Sequence, residues 1–341
     1  MEPPPSMPPA PVVFNTPNAG GNAQINNING NFINTLNVYA VTPDREKEIY
    51  KWLAAPDTSG NYNAAREKHH ENTGAWFLEG KQFAHWKETS GSALWINGTP
   101  GSGKTIICST VIESVRQEYK PESGAVCAYF FFDSRNAETD QSLHEKMLRS
   151  LIRQLSHQWG VWYKSRQPEQ SPLSPKQVSV PAALMDIYGG GHETPSTAAL
   201  QLTLQNIIAD FDRAYIVIDA LDECIDRHKL LAWIGGLVQR NMRQLRILFS
   251  SCREQDILRC FQPLESICRV SLAGASTNAD IERYVDYMLA TVARWNAATR
   301  ARIKRSLMEG VDGMFRWVAF QIAELLKCLT PRDVDAQTSA T

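Results

Sequence analysis

Apolar residues along this chain follow two patterns that alternate. Unbroken apolar runs occur at 93–96, at Ala125 to Phe132 and at Tyr215 to Ile218, and Arg246 to Ser251 carries another. Runs of about four to eight such residues suit strands buried on both faces. Between them, apolar positions recur at helical spacing. One set is Ile107, Val111 and Val115, with Ile106 and Ile112 beside them. Another is Leu143, Met147, Leu148, Leu151, Ile152 and Leu155; Leu200 to Ile208 and Leu230 to Arg240 follow the same spacing. Strands alternating with helices predict an α/β fold with a parallel, doubly wound sheet. From Ala279 to Leu329 the pattern is helical throughout (Ile281, Val285, Met288, Leu289, Ile303, Leu307, Val318, Ile322, Leu325, Leu326), which predicts a small helical subdomain.

The stretches outside these patterns set the boundaries. Glu46 to Leu53 reads as a short helix framed by Pro43 and Pro56, and Asp57 to Thr73 as a polar loop. Trp76, Phe77, Leu78, Phe83 and Trp86 read as core packing ahead of the first strand. Residues 160–197, rich in Pro, Ser, Gln and Gly, read as a long loop insertion with one short helix around Ala182 to Tyr188. Met1 to Pro11 is Pro-rich and expected to be extended or disordered. Asn15 to Asn37 is rich in Asn and Gly, carries no charge, and intersperses Ile25, Ile28, Phe32, Ile33 and Leu36. That composition fits a flexible tail, and it also fits a cross-β-prone segment. The expected organisation is a disordered segment at 1–37, a helical and aromatic lead-in at 38–91, a nucleotide-binding core at 92–272, a helical subdomain at 273–332 and a disordered tail at 333–341.

Bulk composition narrows the classes. Hydrophobic content of 43% and charged content of 21% are those of a globular protein. A formal net charge of -1 supplies no electrostatic reason to bind nucleic acid. No apolar run approaches the ~20 residues needed to span a bilayer, and the Pro-rich start is not a secretory signal. The seven cysteines are dispersed, without a CxxC pair, which suits reduced thiols and a cytoplasmic location.

The chemistry lies at the ends of the apolar runs. Ala93-Leu-Trp-Ile-Asn97 runs into Gly98-Thr99-Pro100-Gly101-Ser102-Gly103-Lys104-Thr105, a full P-loop pattern. Its glycines let backbone N–H groups close around phosphates, Lys104 is placed for the β/γ-phosphate oxygens, and the Thr105 hydroxyl for Mg²⁺. A helix starting near Thr105 adds the positive end of its dipole. Tyr215-Ile-Val-Ile-Asp219 supplies an acidic strand end, which a parallel sheet exposes at its carboxyl edge. Asp219 is expected to hold Mg²⁺ opposite Thr105. Asp222 and Glu223 follow; one of them is placed to orient an attacking water, or both are a helix-start pair favoured by the dipole. Arg253 follows the next strand, where it either touches the γ-phosphate or is an ordinary surface arginine. The chain has no Asn-Lys-x-Asp element, which favours ATP over GTP, and no GxGxxG fingerprint.

Together these residues resemble the NACHT family of signal-transducing ATPases, the STAND type of P-loop NTPase, and in particular the fungal NLR-like proteins. The resemblance runs from about Ile49 to Arg332. It is carried by Lys68-His-His-Glu-Asn-Thr-Gly-Ala-Trp-Phe-Leu78, the P-loop, Ala128-Tyr-Phe-Phe-Phe-Asp133, Leu148-Arg-Ser-Leu-Ile-Arg-Gln-Leu155, Tyr215 to Cys224, and Gly313-Met-Phe-Arg-Trp-Val-Ala-Phe-Gln-Ile322. It implies a switch in which ADP holds a closed state and ATP exchange permits homo-oligomerisation and signalling. In fungi it implies self/non-self recognition and programmed cell death, with slow hydrolysis. The N-terminal segment stands where relatives carry an effector or an amyloid-forming motif that pairs with like segments of partner proteins. Two departures bear on this. The family places an arginine two residues before the glutamate at the third strand end; counting back from Glu254 puts Cys252 there and Arg253 one place late, and a one-residue shift turns a side chain the other way. The family also continues into a winged helix and repeats, whereas here Asp333 to Thr341 is a short polar stretch, as expected of a nucleotide-binding module without its sensor. A non-catalytic, nucleotide-stabilised scaffold or truncated adaptor is the alternative to a weak ATPase. An ordinary metabolic P-loop kinase fits less well, for want of an acceptor site.

Overall fold

The computed structural model describes residues 38–341 except 71–72, 119–122, 134–141, 166–177, 226, 312, 329–332, 335–336 and 338–341. The chain divides into two units, Met1–Asn37 and Val38–Thr341. The first lies outside the described residues, and with it both readings of the Pro-rich and Asn/Gly-rich segments.

In the second unit, β1 (Val38–Val41) leads into α1 (Pro43–Leu53), α2 (Ser59–Glu67), α3 (Ala75–Leu78) and α4 (Lys81–Glu88). Then come β2 (Ala93–Asn97), α5 (Lys104–Glu118), β3 (Ala125–Phe131), α6 (Leu143–Ser165), β4 (Val178–Pro181), α7 (Ala182–Tyr188) and α8 (Thr197–Ala209). They are followed by β5 (Arg213–Asp219), α9 (Arg227–Arg240), β6 (Leu245–Ser251), α10 (Gln255–Phe261) and β7 (Ile267–Ser271). Three helices end the fold: α11 (Ala275–Ala290), α12 (Ala297–Gly310) and α13 (Phe315–Lys327).

The apolar runs become the sheet. Five strands in the order β3-β5-β6-β2-β7 pair in parallel throughout. The four apolar runs are buried because both faces are covered. Leu94 and Ile96 of β2, Tyr129 and Phe131 of β3, Tyr215 and Val217 of β5 and Leu248 of β6 pack with Cys108, Val111, Ile112 and Val115 of α5 and with Phe83 and Trp86 of α4. The intervening residues point to the other side. There Trp95 and Phe249 meet Phe261 of α10, with ring centroids 5.9 and 4.7 Å apart. The aromatic lead-in is core, as its composition indicated, with Trp86 fully buried.

The edge of β3 is closed by side chains. Gln154 of α6 donates to Tyr129 O (2.8 Å) and accepts from Tyr129 N (3.1 Å). One turn on, Gln158 donates to Cys127 O (2.8 Å) and accepts from Cys127 N (3.1 Å). Two amides at i, i+4 thus take up the backbone groups that another strand would take, which protects the edge.

Four expectations change. Asp57 to Thr73 is not all loop: α2 forms because Tyr62 and Ala65 bury and Tyr62 Oη donates to Glu113 of α5 (2.6 Å). The interval 160–197 is not a single insertion. α6 runs through Gly160 to Ser165 because Trp159 and Trp162 bury on one face, and β4 pairs antiparallel with β1 ahead of the expected short helix α7. β7 was not foreseen; its burial alternates, as befits an edge strand with one face outward. In the tail expected to be disordered, Val334 is 2% exposed and packs into the helical subdomain with Ile322 and Leu325. That subdomain has its own core, built on Ile281, Val285, Leu289, Ile303, Leu307, Val318, Ile322 and Leu325.

Candidate nucleotide site

β2 ends at the carboxyl edge of the sheet and delivers the P-loop. Gly101 (φ 81°) and Gly103 (φ 92°) hold left-handed backbone that residues with a Cβ rarely adopt. A Cβ on Gly98 would approach Ser102 Oγ to 2.5 Å, and one on Gly101 would approach Arg316 Cβ to 2.9 Å. Ser102 N donates to Thr99 O (3.2 Å), closing the turn. Ser102 Oγ is buried without a partner among the described residues, a donor left inside the loop. Thr99, Pro100 and Thr105 are exposed on its rim. A glycine cradle at the start of a 15-residue helix, with an unused hydroxyl inside it, fits a phosphate.

Lys104 is buried, and among the described residues its ammonium bonds only to the site itself. Nζ donates to Gly98 O (3.0 Å), Thr99 O (2.9 Å) and the Cys252 thiol (3.4 Å). Cys252 stands where the family pattern has arginine. Burial pushes its thiol up to about 11, so it stays neutral beside the lysine. Arg253 is exposed and makes no hydrogen bond or ion pair among the described residues.

Strand order explains these neighbours. β6 lies between β2, which carries the P-loop, and β5, which ends in Asp219. Three successive residues at its end therefore reach both sides. Ser250 Oγ donates to Asp219 Oδ1 (2.5 Å), Ser251 O accepts from Gly98 N (3.4 Å), and Cys252 N donates to Asp222 Oδ1 (2.9 Å). Asp219 is only 2% exposed. Burial pushes its carboxyl up, while bonds from Ser250, Thr105 and Cys108 and the charge of Lys104 pull it back down. Thr105, at the start of α5, is thus near enough to Asp219 to lower its carboxyl. Asp222 and Glu223 lie on a single 3-10 turn, Leu221–Glu223, entered through left-handed Ala220. Asp222 is tied to Cys252, and its carbonyl accepts from Arg227 (2.9 Å), whereas Glu223 is exposed.

Several contributors carried no signal in the sequence. Ser250 and Cys108 look like ordinary strand and helix residues until packing brings them to Asp219. The stretch Gly313 to Ile322 gains a physical reason: Arg316 N donates to Gly101 O (3.0 Å), and Phe315 lies 3.8 Å from where a Gly103 Cβ would be. The helical subdomain therefore begins α13 on the phosphate loop. The Lys68 to Leu78 stretch is its counterpart on the other side. Asp280 of α11 accepts from Gly74 N (2.6 Å) and Trp76 Nε1 (2.8 Å), and the His70 ring lies 4.6 Å from that of Tyr284.

Residues 72–252, more than half of the chain, match the family described as Nephrocystin 3, N-terminal. The chain belongs to that family. It is also 24% identical over 254 residues to the vegetative incompatibility protein HET-E-1 of Podospora anserina. That match takes in 72% of this chain and 17% of HET-E-1, so the chain spans less than a fifth of that relative. The family match and this likeness bear out the NACHT, STAND-type resemblance, and the parallel sheet with its P-loop bears out the α/β fold class. Among solved structures, Cdc6p from Pyrobaculum aerophilum aligns with a TM-score of 0.46 at 11% identity, covering 80% of this chain and 67% of that one. Domain III of the Thermotoga maritima replication initiation protein DnaA aligns at 0.41 and 12% identity, covering 80% and 95%. Among the described residues, no helix is long and apolar enough to cross a membrane.

Proposed function

We propose that this family member binds ATP and ADP with Mg²⁺ and that its nucleotide state is a signal rather than a metabolic product. The observation that carries this is the Lys104, Thr105, Asp219 cluster, in which a P-loop lysine and hydroxyl meet a strand-end carboxylate. Lys104 exchanges its carbonyl partners for phosphate oxygens, and the backbone N–H groups of 98–105 bind the remaining charge. Thr105 and Asp219 are the residues that would hold Mg²⁺, which when bound neutralises charge on the β- and γ-phosphates. Glu223, exposed beside the site, or Asp222 orients a water.

Slow hydrolysis follows from the same geometry. Arg253 is exposed and bonded to nothing at the site among the described residues, and neutral Cys252 offers no charge to a phosphoryl group in transit, a service worth orders of magnitude where an arginine supplies it. Contact between the helical subdomain and Gly101 supports a switch that couples phosphate to domain position. The name of the Podospora anserina relative supports a place in self/non-self or immune-type signalling; the dispersed cysteines support the cytoplasm, and the NACHT resemblance supports homo-oligomers or like N-terminal segments as partners.

The exposed Arg253 favours one alternative, a scaffold that nucleotide stabilises without turnover. ATP and ADP affinities of the protein and of Lys104→Ala test binding; equal affinities in the two would remove the role given to Lys104. Single-turnover hydrolysis separates switch from scaffold. Glu223→Gln or Asp222→Asn is expected to lower a measurable wild-type rate, and a background rate unchanged in both leaves the scaffold.

A further inference from the structure

Ser250 has no assigned role, yet it stands between the two halves of the site. It is fully buried at the end of β6. Its hydroxyl accepts from Ala220 N (3.0 Å) and donates to Asp219 Oδ1 (2.5 Å). A hydroxyl has one proton. With the Ala220 N–H on one lone pair, that proton is committed to the carboxylate. Ala220 is a non-glycine residue held at φ 58°, ψ 54°, a conformation that aims its N–H at Ser250 as the chain leaves β5. The same side chain therefore fixes both the rotation of the Asp219 carboxylate and the turn that follows it. The Thr105 hydroxyl and the Cys108 thiol, both from α5, also lower the Asp219 carboxyl. The grip needs β6 paired with β5, because that register puts Ser250 beside Asp219.

A carboxylate that serves a cation must be held in orientation, and groups that bond to ligating carboxylates contribute about 10–100-fold to metal affinity. We propose that Ser250 is a positioning residue for divalent metal: it secures Oδ1 of Asp219 so that the carboxylate and Thr105 together face the cation that accompanies a nucleotide. This rests on the nucleotide-site reading above.

The test is binding rather than turnover. Affinity for a non-hydrolysable ATP analogue is measured in Mg²⁺ and in EDTA for the wild type, Ser250→Ala and Ser250→Thr. The wild type is expected to bind more tightly in Mg²⁺. Ser250→Ala is expected to lose about 10–100-fold of that gain while keeping its EDTA affinity, which also reports an intact P-loop, and Ser250→Thr, which retains the hydroxyl, to recover it. A gain that survives intact in Ser250→Ala overturns the assignment alone. A wild-type affinity identical in Mg²⁺ and EDTA overturns the metal-dependent reading of the site and the assignment with it. Should Ser250→Ala not fold, Ser250→Val, which matches Ser250→Thr in shape but lacks the hydroxyl, carries the comparison with the same two outcomes.

Discussion

The thiol of Cys252 lies 3.4 Å from Nζ of Lys104, at the strand end where the family pattern has a guanidinium. A neutral group there lets the lysine rest on its own loop. Two cations about 4 Å apart repel by about 4 kcal/mol at a protein-like dielectric. Cys252→Arg is therefore expected to lower the thermal midpoint of the nucleotide-free protein by several degrees and to enlarge the rise on adding an ATP analogue. Cys252→Ala is expected to do neither. Equal nucleotide-free midpoints for Cys252→Arg and Cys252→Ala would contradict this account.

Gly101 is constrained twice, by φ 81° and by Arg316, whose Cβ would lie 2.9 Å from an added Cβ. Gly101→Ala is expected to cost about 1–3 kcal/mol in urea unfolding and to increase hydrogen exchange at the start of α13. Gly60, inside α2 with open space around it, is the internal control. Gly60→Ala is expected to be neutral or to stabilise by up to about 1 kcal/mol. Similar effects from both would mean that the α13 contact does not matter.

Asp280 joins the helical subdomain to the lead-in. It accepts from Gly74 N and Trp76 Nε1, and Arg283 donates to its other oxygen (2.7 Å), although it is only 3% exposed. Asp280→Ala leaves a backbone and an indole N–H without acceptors. The expected loss is about 2–4 kcal/mol, with faster hydrogen exchange at residues 73–78 and 277–290. Protection confined to wild-type levels in both segments would show that the two are held together by other contacts.

Tyr62 and Glu113 give a pH-dependent contribution. The hydrogen bond from Tyr62 Oη holds the Glu113 carboxyl below its ordinary range. Because the folded state lowers this carboxyl, the stabilisation is complete above the ordinary carboxylate range and is lost as pH falls through the lowered value. Tyr62→Phe is expected to cost about 1–2 kcal/mol at pH 7. The difference between variant and wild type should shrink as pH drops into the carboxylate range, as followed by denaturant titration. A difference constant with pH would show that the Tyr62 hydroxyl does not act through the Glu113 charge.

Most elements and the phosphate chemistry were legible from local pattern alone. Unbroken apolar runs of about four to eight residues suit strands covered on both faces, and the 3.6-residue recurrences suit helices packed on one. Gly98 to Thr105 carries its chemistry in consecutive residues, so no folding was needed to recognise it, and Asp219 was legible because it ends an apolar run. Local pattern failed where tertiary contacts overrode it. α2 exists because Tyr62 docks on α5, and α6 passes through Gly160 because Trp159 and Trp162 bury. Strand order was beyond the sequence altogether, since it depends on which strands pair and not on what each contains. That order sets β6 between the P-loop strand and the Asp219 strand, and so brings Ser250 and Cys252, far from both in sequence, into the site. Arg253, one residue past Cys252, stays exposed, because at a strand end a single residue of offset changes which neighbours a side chain meets.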